Sequence, residues 1–289
     1  PLEIVITMRG KQKSERIWVE ERTTPFEIIA PGKPISVELD PYHWSIKYDM
    51  TYEYNQMKDE ASQLAKEGKY NEALEKYAES VKLAEDGSIM LPPGESGNKY
   101  LLRERAYNFF NVTHHLIANH QDDEISCELE QLPPPDLSAI GFREFLEQPS
   151  PKSIKLNLIN DAPLENAVAA IHRGYVNDES RELYTNIVKF PSEDDVASFF
   201  DNNRRGYVSG NRDSRRKITV AYTIGSEKDN CAMAYWKYKK CLINIYIPVD
   251  FSTKTGAGNL LLETWMHEQM LQNAEILYQA VKALFEKIN

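Results

Sequence analysis

Six histidines, His43, His114, His115, His120, His172 and His267, are the first residues to test for chemistry. A zinc-peptidase helix places two His at i and i+4 on one turn, with a Glu beside the first as general base. No two of the six are four apart. His267-Glu268 opens such a pattern, but Leu271 stands where the second ligand would be. His114, His115, His120 and Glu124 cluster on one expected helix, where His120 and Glu124 share a face. Their spacing is poor for a metal, and packing or surface histidines are the plainer reading. No catalytic residue, metal site or cofactor is assigned.

Two glycine-bearing loops fare little better. Gly206-Tyr207-Val208-Ser209-Gly210 carries its Ser one place late for a nucleophile elbow and reads as a flexible loop. Thr255-Gly256-Ala257-Gly258-Asn259 opens a helix, as a phosphate-binding loop would, but Leu261 occupies the third glycine position. A helix-opening turn is the simpler account. The most unusual feature is basic: Arg204, Arg205, Arg212, Arg215, Arg216 and Lys217 lie within fourteen residues, opposed only by Asp213. Planar guanidinium forks favour paired contacts to carboxylate or phosphate, so this segment is the candidate anion- or partner-binding site. The alternative is a solvated loop leading into a strand, and no aromatic-interleaved RNA motif accompanies it.

The elements that would position these groups follow from pattern. The 289 residues carry a net charge of −10 and are 42% hydrophobic, enough to bury cores. Residues 1–132 hold 15 basic against 24 acidic side chains, and the remainder 19 against 20, which argues against nucleic acid as a partner. No apolar run is long enough for a membrane span, and three cysteines, Cys127, Cys231 and Cys241, exclude a disulfide scaffold. Residue 1 is Pro and the opening residues form no basic-then-apolar signal segment, so a processed product or excised fragment is expected; the compartment is left open.

Four expected domains follow. Residues 1–50 read as a small antiparallel β-sandwich, with strands Leu2–Met8, Arg16–Glu20, Phe26–Ala30 and Ile35–Leu39. Residues 51–132 change to i, i+3, i+4 spacing: a helical hairpin turning at Gly68, then a helix from Tyr100 to His120. Residues 133–150, opening with Pro133-Pro134-Pro135, read as a Pro-rich linker. Residues 151–289 predict an α+β domain with a partly antiparallel sheet: strand Ile154–Ile159, helix Leu164–His172, strand Leu183–Phe190, helix Glu193–Phe200 capped by Ser192, strands Ile218–Ile224, Met233–Tyr238 and Cys241–Val249, and a long terminal helix, Asn259–Ile288.

Two segments carry resemblances. The run Glu15-Arg16-Ile17-Trp18-Val19, the Phe26-Glu27-Ile28 strand and Lys33-Pro34-Ile35-Ser36-Val37-Glu38-Leu39-Asp40-Pro41, followed by Trp44 and Asp49, resemble the β-sandwich behind the catalytic domain of gluzincin aminopeptidases of the aminopeptidase N type. Ala61, Leu64, Gly68, Tyr70, Ala73 and Tyr77 are spaced as in a tetratricopeptide repeat, a spacing shared with microtubule-interacting-and-transport hairpins. Only one such unit is present, and such arrays need about three for independent stability. The first resemblance implies a non-catalytic region of an aminopeptidase-like protein, serving domain packing and partner or substrate access; the arginine cluster, by its charge, points to a protein or acidic peptide as partner. The alternatives are an enzyme whose site lies in the C-terminal α+β domain, or a free-standing helical-repeat adaptor.

Overall fold

The computed structural model describes residues 2–18, 25–39, 50–86, 89, 97–121, 135–149, 166–202, 209–223, 231–249 and 259–288. The chain divides into two compact units, Pro1–Met50 and Thr51–Asn289.

In the first unit, β1 (Leu2–Met8) pairs antiparallel with β2 (Lys11–Ile17) on one side and β3 (Pro34–Leu39) on the other. Alternation along β1 puts Ile4, Ile6 and Met8 on one face, where they are buried with Ile17, Ile28 and Ala30 packed against them. The expected strand Phe26–Ala30 is not one. Its Ile28 and Ala30 lie against the sheet, and Lys13 Nζ donates to the Ile29 carbonyl at 3.0 Å. The β2 strand also ends at Ile17, earlier than expected. Among the described residues this unit holds one three-stranded sheet.

The second unit opens with α1 (Thr51–Lys66) and α2 (Tyr70–Glu85). Gly68, at φ +81°, ends α1 in the left-handed region that favours glycine. Lys69 N–H returns to the Leu64 carbonyl at 2.9 Å and Gly68 N–H to Ala65 at 3.1 Å, the paired bonds of a Schellman cap. Fully buried Ala61, Ala65 and Ala73 let the helices approach closely. From α3 (Gly97–Asn119), Asn119 Nδ2 donates to Tyr70 Oη at 3.0 Å and to the Lys66 carbonyl at 3.2 Å, fastening this turn.

The expected linker ends in secondary structure. Arg143–Pro149 forms β4, an edge strand of a seven-stranded sheet. The expected helix Leu164–His172 is also corrected: Ala169–Val176 is β5, paired with β4 and with β6 (Glu182–Lys189). The helix propensity of its alanines is overridden by ladder pairing on both edges and burial in the sheet. Strand Ile154–Ile159 lies outside the described residues. After α4 (Glu193–Asn202) come β7 (Ser209–Asp213), β8 (Ile218–Thr223), β9 (Cys231–Tyr238), β10 (Cys241–Pro248) and α5 (Asn259–Ile288). The α4 cap is reciprocal: Ser192 Oγ accepts from Asp195 N–H at 3.2 Å, and Asp195 Oδ2 accepts from Ser192 N–H at 3.1 Å.

Sheet order is β4-β5-β6-β10-β9-β8-β7, and every neighbouring pair is antiparallel, not a mixture. One face carries Leu183, Ile187, Ile218, Val220, Ala234, Trp236, Ile243, Ile245 and Ile247 into a single core with α3 and α5. Ala61, Ala73, Tyr77 and Phe110 belong to that same core. The helices of residues 51–119 and the sheet are therefore one unit rather than separate modules, because α3 buries Ala106, Phe110, Val112 and Ile117 around its circumference. On the opposite face, Val196, Phe199 and Phe200 of α4 pack with Val188, Met233, Tyr235 and Leu242.

Candidate functional site

Two of the four described residues of the basic segment, Arg216 and Lys217, are tied to other elements of the fold. Arg204 and Arg205 lie outside the described residues. Arg212 is exposed on edge strand β7, and Arg215 and Arg216 are exposed in the turn that follows. Asp213 Oδ1 accepts the Arg215 and Arg216 N–H groups at 2.9 and 3.1 Å, tying the turn. Burial pushes the Asp213 carboxyl upward, but those two backbone bonds and the nearby His114 and Arg216 charges outweigh it and hold the group below its ordinary value. Arg216 Nε stands 3.9 Å from Asp213 Oδ2, and its Nη1 donates to the Ala118 carbonyl at 3.4 Å. Lys217 Nζ pairs with Asp201 at 2.6 Å. Arg212 and Arg215 thus form the outward part of the cluster, while Arg216 and Lys217 join β7–β8 to α3 and α4.

Four of the histidines, His114, His115, His120 and His172, are packed within the larger unit, and His43 lies outside the described residues. His120 stacks on Phe285 with ring centroids 4.5 Å apart, and its Nδ1 lies 2.8 Å from the Leu116 carbonyl. His114 and His115 meet edge-on at 5.2 Å. Burial lowers both, His115 to about 4, and favours their neutral forms. His172 belongs to a buried polar rank running across three strands. Its Nδ1 lies 2.6 Å from Asn186 Oδ1; Asn186 Nδ2 donates to Asn244 Oδ1 at 2.8 Å, and Asn244 Nδ2 to the Ala234 carbonyl at 3.3 Å. Beside it Tyr184 stacks between His172 and Tyr246, at 5.4 and 5.0 Å. Cys231 and Cys241 are buried. Among the described residues no three His, Cys, Asp or Glu side chains converge as metal ligands would.

Two cavities bring polar groups together. One, of about 310 Å³, lies between the helices and β7, lined by Lys58, Tyr77, Glu104, Tyr107, Asn108, Asn111 and Asn211. Its charges are already answered: Lys58 Nζ pairs with Glu104, which also accepts from Tyr54 Oη at 2.8 Å. The larger, of about 470 Å³, is built from the β5–β6 turn, the end of β10 and the first half of α5. In the turn, Asn177 Oδ1 accepts from Glu179 and Arg181 N–H at 3.1 and 2.8 Å, and Ser180 takes φ +61°. That geometry brings Glu179, Arg181 and Glu182 to the cavity, with Pro248 and Val249 alongside. Trp265, Gln269 and Asn273 line it from α5 at i, i+4 and i+8, one helical face.

Arg181 is held across this space. Nη1 donates to Asn273 Oδ1 at 3.1 Å and Nη2 to Gln272 Oε1 at 2.8 Å. Asn273 is 1% exposed, and its Nδ2 has no hydrogen-bond partner among the described residues. Sequence reasoning missed this constellation because Arg181 and Asn273 are 92 positions apart. The available signal was the i, i+4, i+8 stripe Trp265, Gln269, Asn273 on the terminal helix.

No helix of the described residues is long and apolar enough to cross a membrane. Among the described residues the fold is of the α+β class, with a seven-stranded antiparallel sheet layered with helices in one unit and a three-stranded sheet in the other. The chain matches no family model, no curated protein sequence and no solved structure.

Proposed function

We propose that the chain is a non-catalytic accessory region of an aminopeptidase-like protein, serving domain packing and partner or substrate access. The observation that carries this reading is the apolar surface of the small unit. Trp18, Phe26, Ile29, Ile35 and Val37 are each more than half exposed on a unit of fifty residues. Solvent-facing apolar groups at that density are a docking surface by composition. The three-stranded sheet would form one layer of a β-sandwich and cover this surface against a neighbouring domain. In the larger unit, buried Ala61 and Ala73 between α1 and α2 would suit a tetratricopeptide-like pair, and exposed Arg212 and Arg215 would present guanidinium groups to an acidic peptide.

The test is the native polypeptide itself. Capture with an antibody to the 51–289 unit, followed by peptide mapping, is expected to return a protein larger than 33.3 kDa that carries a His-Glu-x-x-His segment. A native species of that mass with no peptidase domain attached or co-purifying overturns the proposal. A ligand-binding or enzymatic role for the larger unit is favoured by one specific observation, the cavity around Arg181, in which polar groups from three elements converge.

A further inference from the structure

We infer that the cavity beside Arg181 binds a small zwitterion, an α-amino acid or dipeptide, with its carboxylate on the Arg181 guanidinium and its ammonium toward Glu179 and Glu182. The inference is independent of whether the chain belongs to a peptidase. It begins with an imbalance at Arg181. Both of its Nη atoms are occupied by amide carbonyls, Asn273 Oδ1 and Gln272 Oε1. These orient the fork without neutralising it, and Arg181 forms no ion pair among the described residues. A guanidinium carries five N–H donors, so three remain for a ligand. Arginine in a fixed plane is the side chain best matched to a carboxylate.

Asn273 adds an independent sign of a missing partner. Because its oxygen accepts from Arg181, its orientation is fixed, and the nitrogen on the other side is buried with nothing to donate to. An unmade hydrogen bond at 1% exposure is costly, and a ligand oxygen, directly or through a bound water, would relieve it.

The remaining lining selects the class of ligand. Glu179 and Glu182 stand exposed at the same cavity, and neither is ion-paired among the described residues. One Glu182 oxygen accepts from Tyr184 Oη at 2.5 Å, which positions that carboxylate and leaves its charge in place. A simple anion would meet two carboxylates there, and a simple cation would meet Arg181. A molecule with both charges a few atoms apart satisfies both sets. Trp265, Val249 and Pro248 supply an apolar wall for its side chain, and about 470 Å³ accommodates an amino acid or dipeptide.

The experiment is calorimetric titration of the whole chain with L-leucine, L-leucyl-L-leucine, N-acetyl-L-leucine and L-leucinamide. Saturable binding of L-leucine or the dipeptide is expected, with roughly tenfold or greater weakening for each analogue that lacks one charge. Arg181→Met is expected to abolish binding. Glu179→Gln with Glu182→Gln, at exposed positions, is expected to weaken L-leucine while leaving N-acetyl-L-leucine unchanged. If Arg181→Met fails to fold by circular dichroism, the double glutamine variant decides. Absence of saturable binding to folded wild type up to about 10 mM overturns the inference. So does equal affinity for L-leucine and N-acetyl-L-leucine, or an unaltered preference in the double variant.

Discussion

In the small unit β1 buries Ile4, Ile6 and Met8, while the strand beside it, β3, leaves Ile35 and Val37 in solvent. In the large unit β9 and β10 bury seven of eight residues each. All four strands are rich in β-branched or aromatic residues, and all pair antiparallel. The difference lies in what covers them. α3 and α5 lie on one face of β9 and β10 and α4 on the other, whereas the small sheet is covered by a short segment through Ile28 and Ala30. Strand composition therefore fixes pairing, but a strand's burial is decided by the layers around it.

That contrast can be broken most directly at Trp236, 1% exposed in the core shared by the sheet and α5. Trp236→Ala should destabilise the large unit by about 3–5 kcal/mol in urea unfolding. Ile35→Ser in the small unit should stay within about 0.5 kcal/mol, as an exposed substitution does. Comparable losses at the two sites would remove the distinction.

A second variant probes the polar part of the large core. Asn186→Ala strips partners from His172 and Asn244 at once and should cost about 1–3 kcal/mol, since His172 Nδ1 and Asn244 Oδ1 lose the bonds they make to Asn186. An unchanged urea midpoint would mean that the rank is not structural.

A smaller effect tests the α1–α2 turn. Gly68→Ala forces a side chain into φ +81°, and about 1 kcal/mol should be lost from the large unit. The space itself is tolerant, with the nearest atom 3.9 Å from a new Cβ, so the cost is backbone strain. A variant as stable as wild type would show that the turn rearranges freely.

The last effect is absent at neutral pH and grows on acidification. An unfolded His115 takes up its proton near 6.5, the folded one only at about 4, because burial first, and then the neighbouring His114, Lys66 and Arg216 charges, disfavour the protonated ring. Across that window the unfolded chain binds more protons, so stability falls as pH drops from 6.5 toward 4 and then levels. Replacing His114→Leu and His115→Leu should flatten that slope in pH-dependent melting. Identical slopes in variant and wild type would assign the acid sensitivity elsewhere.

The periodic segments were legible because local pattern and tertiary role agree in them. Gly68 between two i, i+4 runs, Ser192 before α4, and the apolar runs of β8, β9 and β10 all carry their structure in nearest neighbours. The misread segments are those where a neighbour decides. Ala169-Ala170-Ile171-His172 has helical composition, yet its ladder partners are Lys189, Val188, Ile187 and Asn186. Arg143–Pro149 follows a proline run and has β5 to pair with.

The basic cluster shows the same division at the level of a site. Six cations in fourteen positions are a fact of the sequence, but that Lys217 meets Asp201 and Arg216 reaches the Ala118 carbonyl depends on where α4 and α3 come to lie. Sequence by itself determined the element types of the strongly periodic segments, the turns that glycine and serine enforce, and the lack of a His pair at zinc-helix spacing. Only the tertiary structure decided that helices and sheet share one core, that the small sheet keeps an apolar surface, and that Arg181 meets Asn273 across 92 residues. The physical reason is that hydrogen bonding within a helix or turn acts over a few residues, whereas burial and charge pairing act between whichever surfaces the packed layers bring into contact.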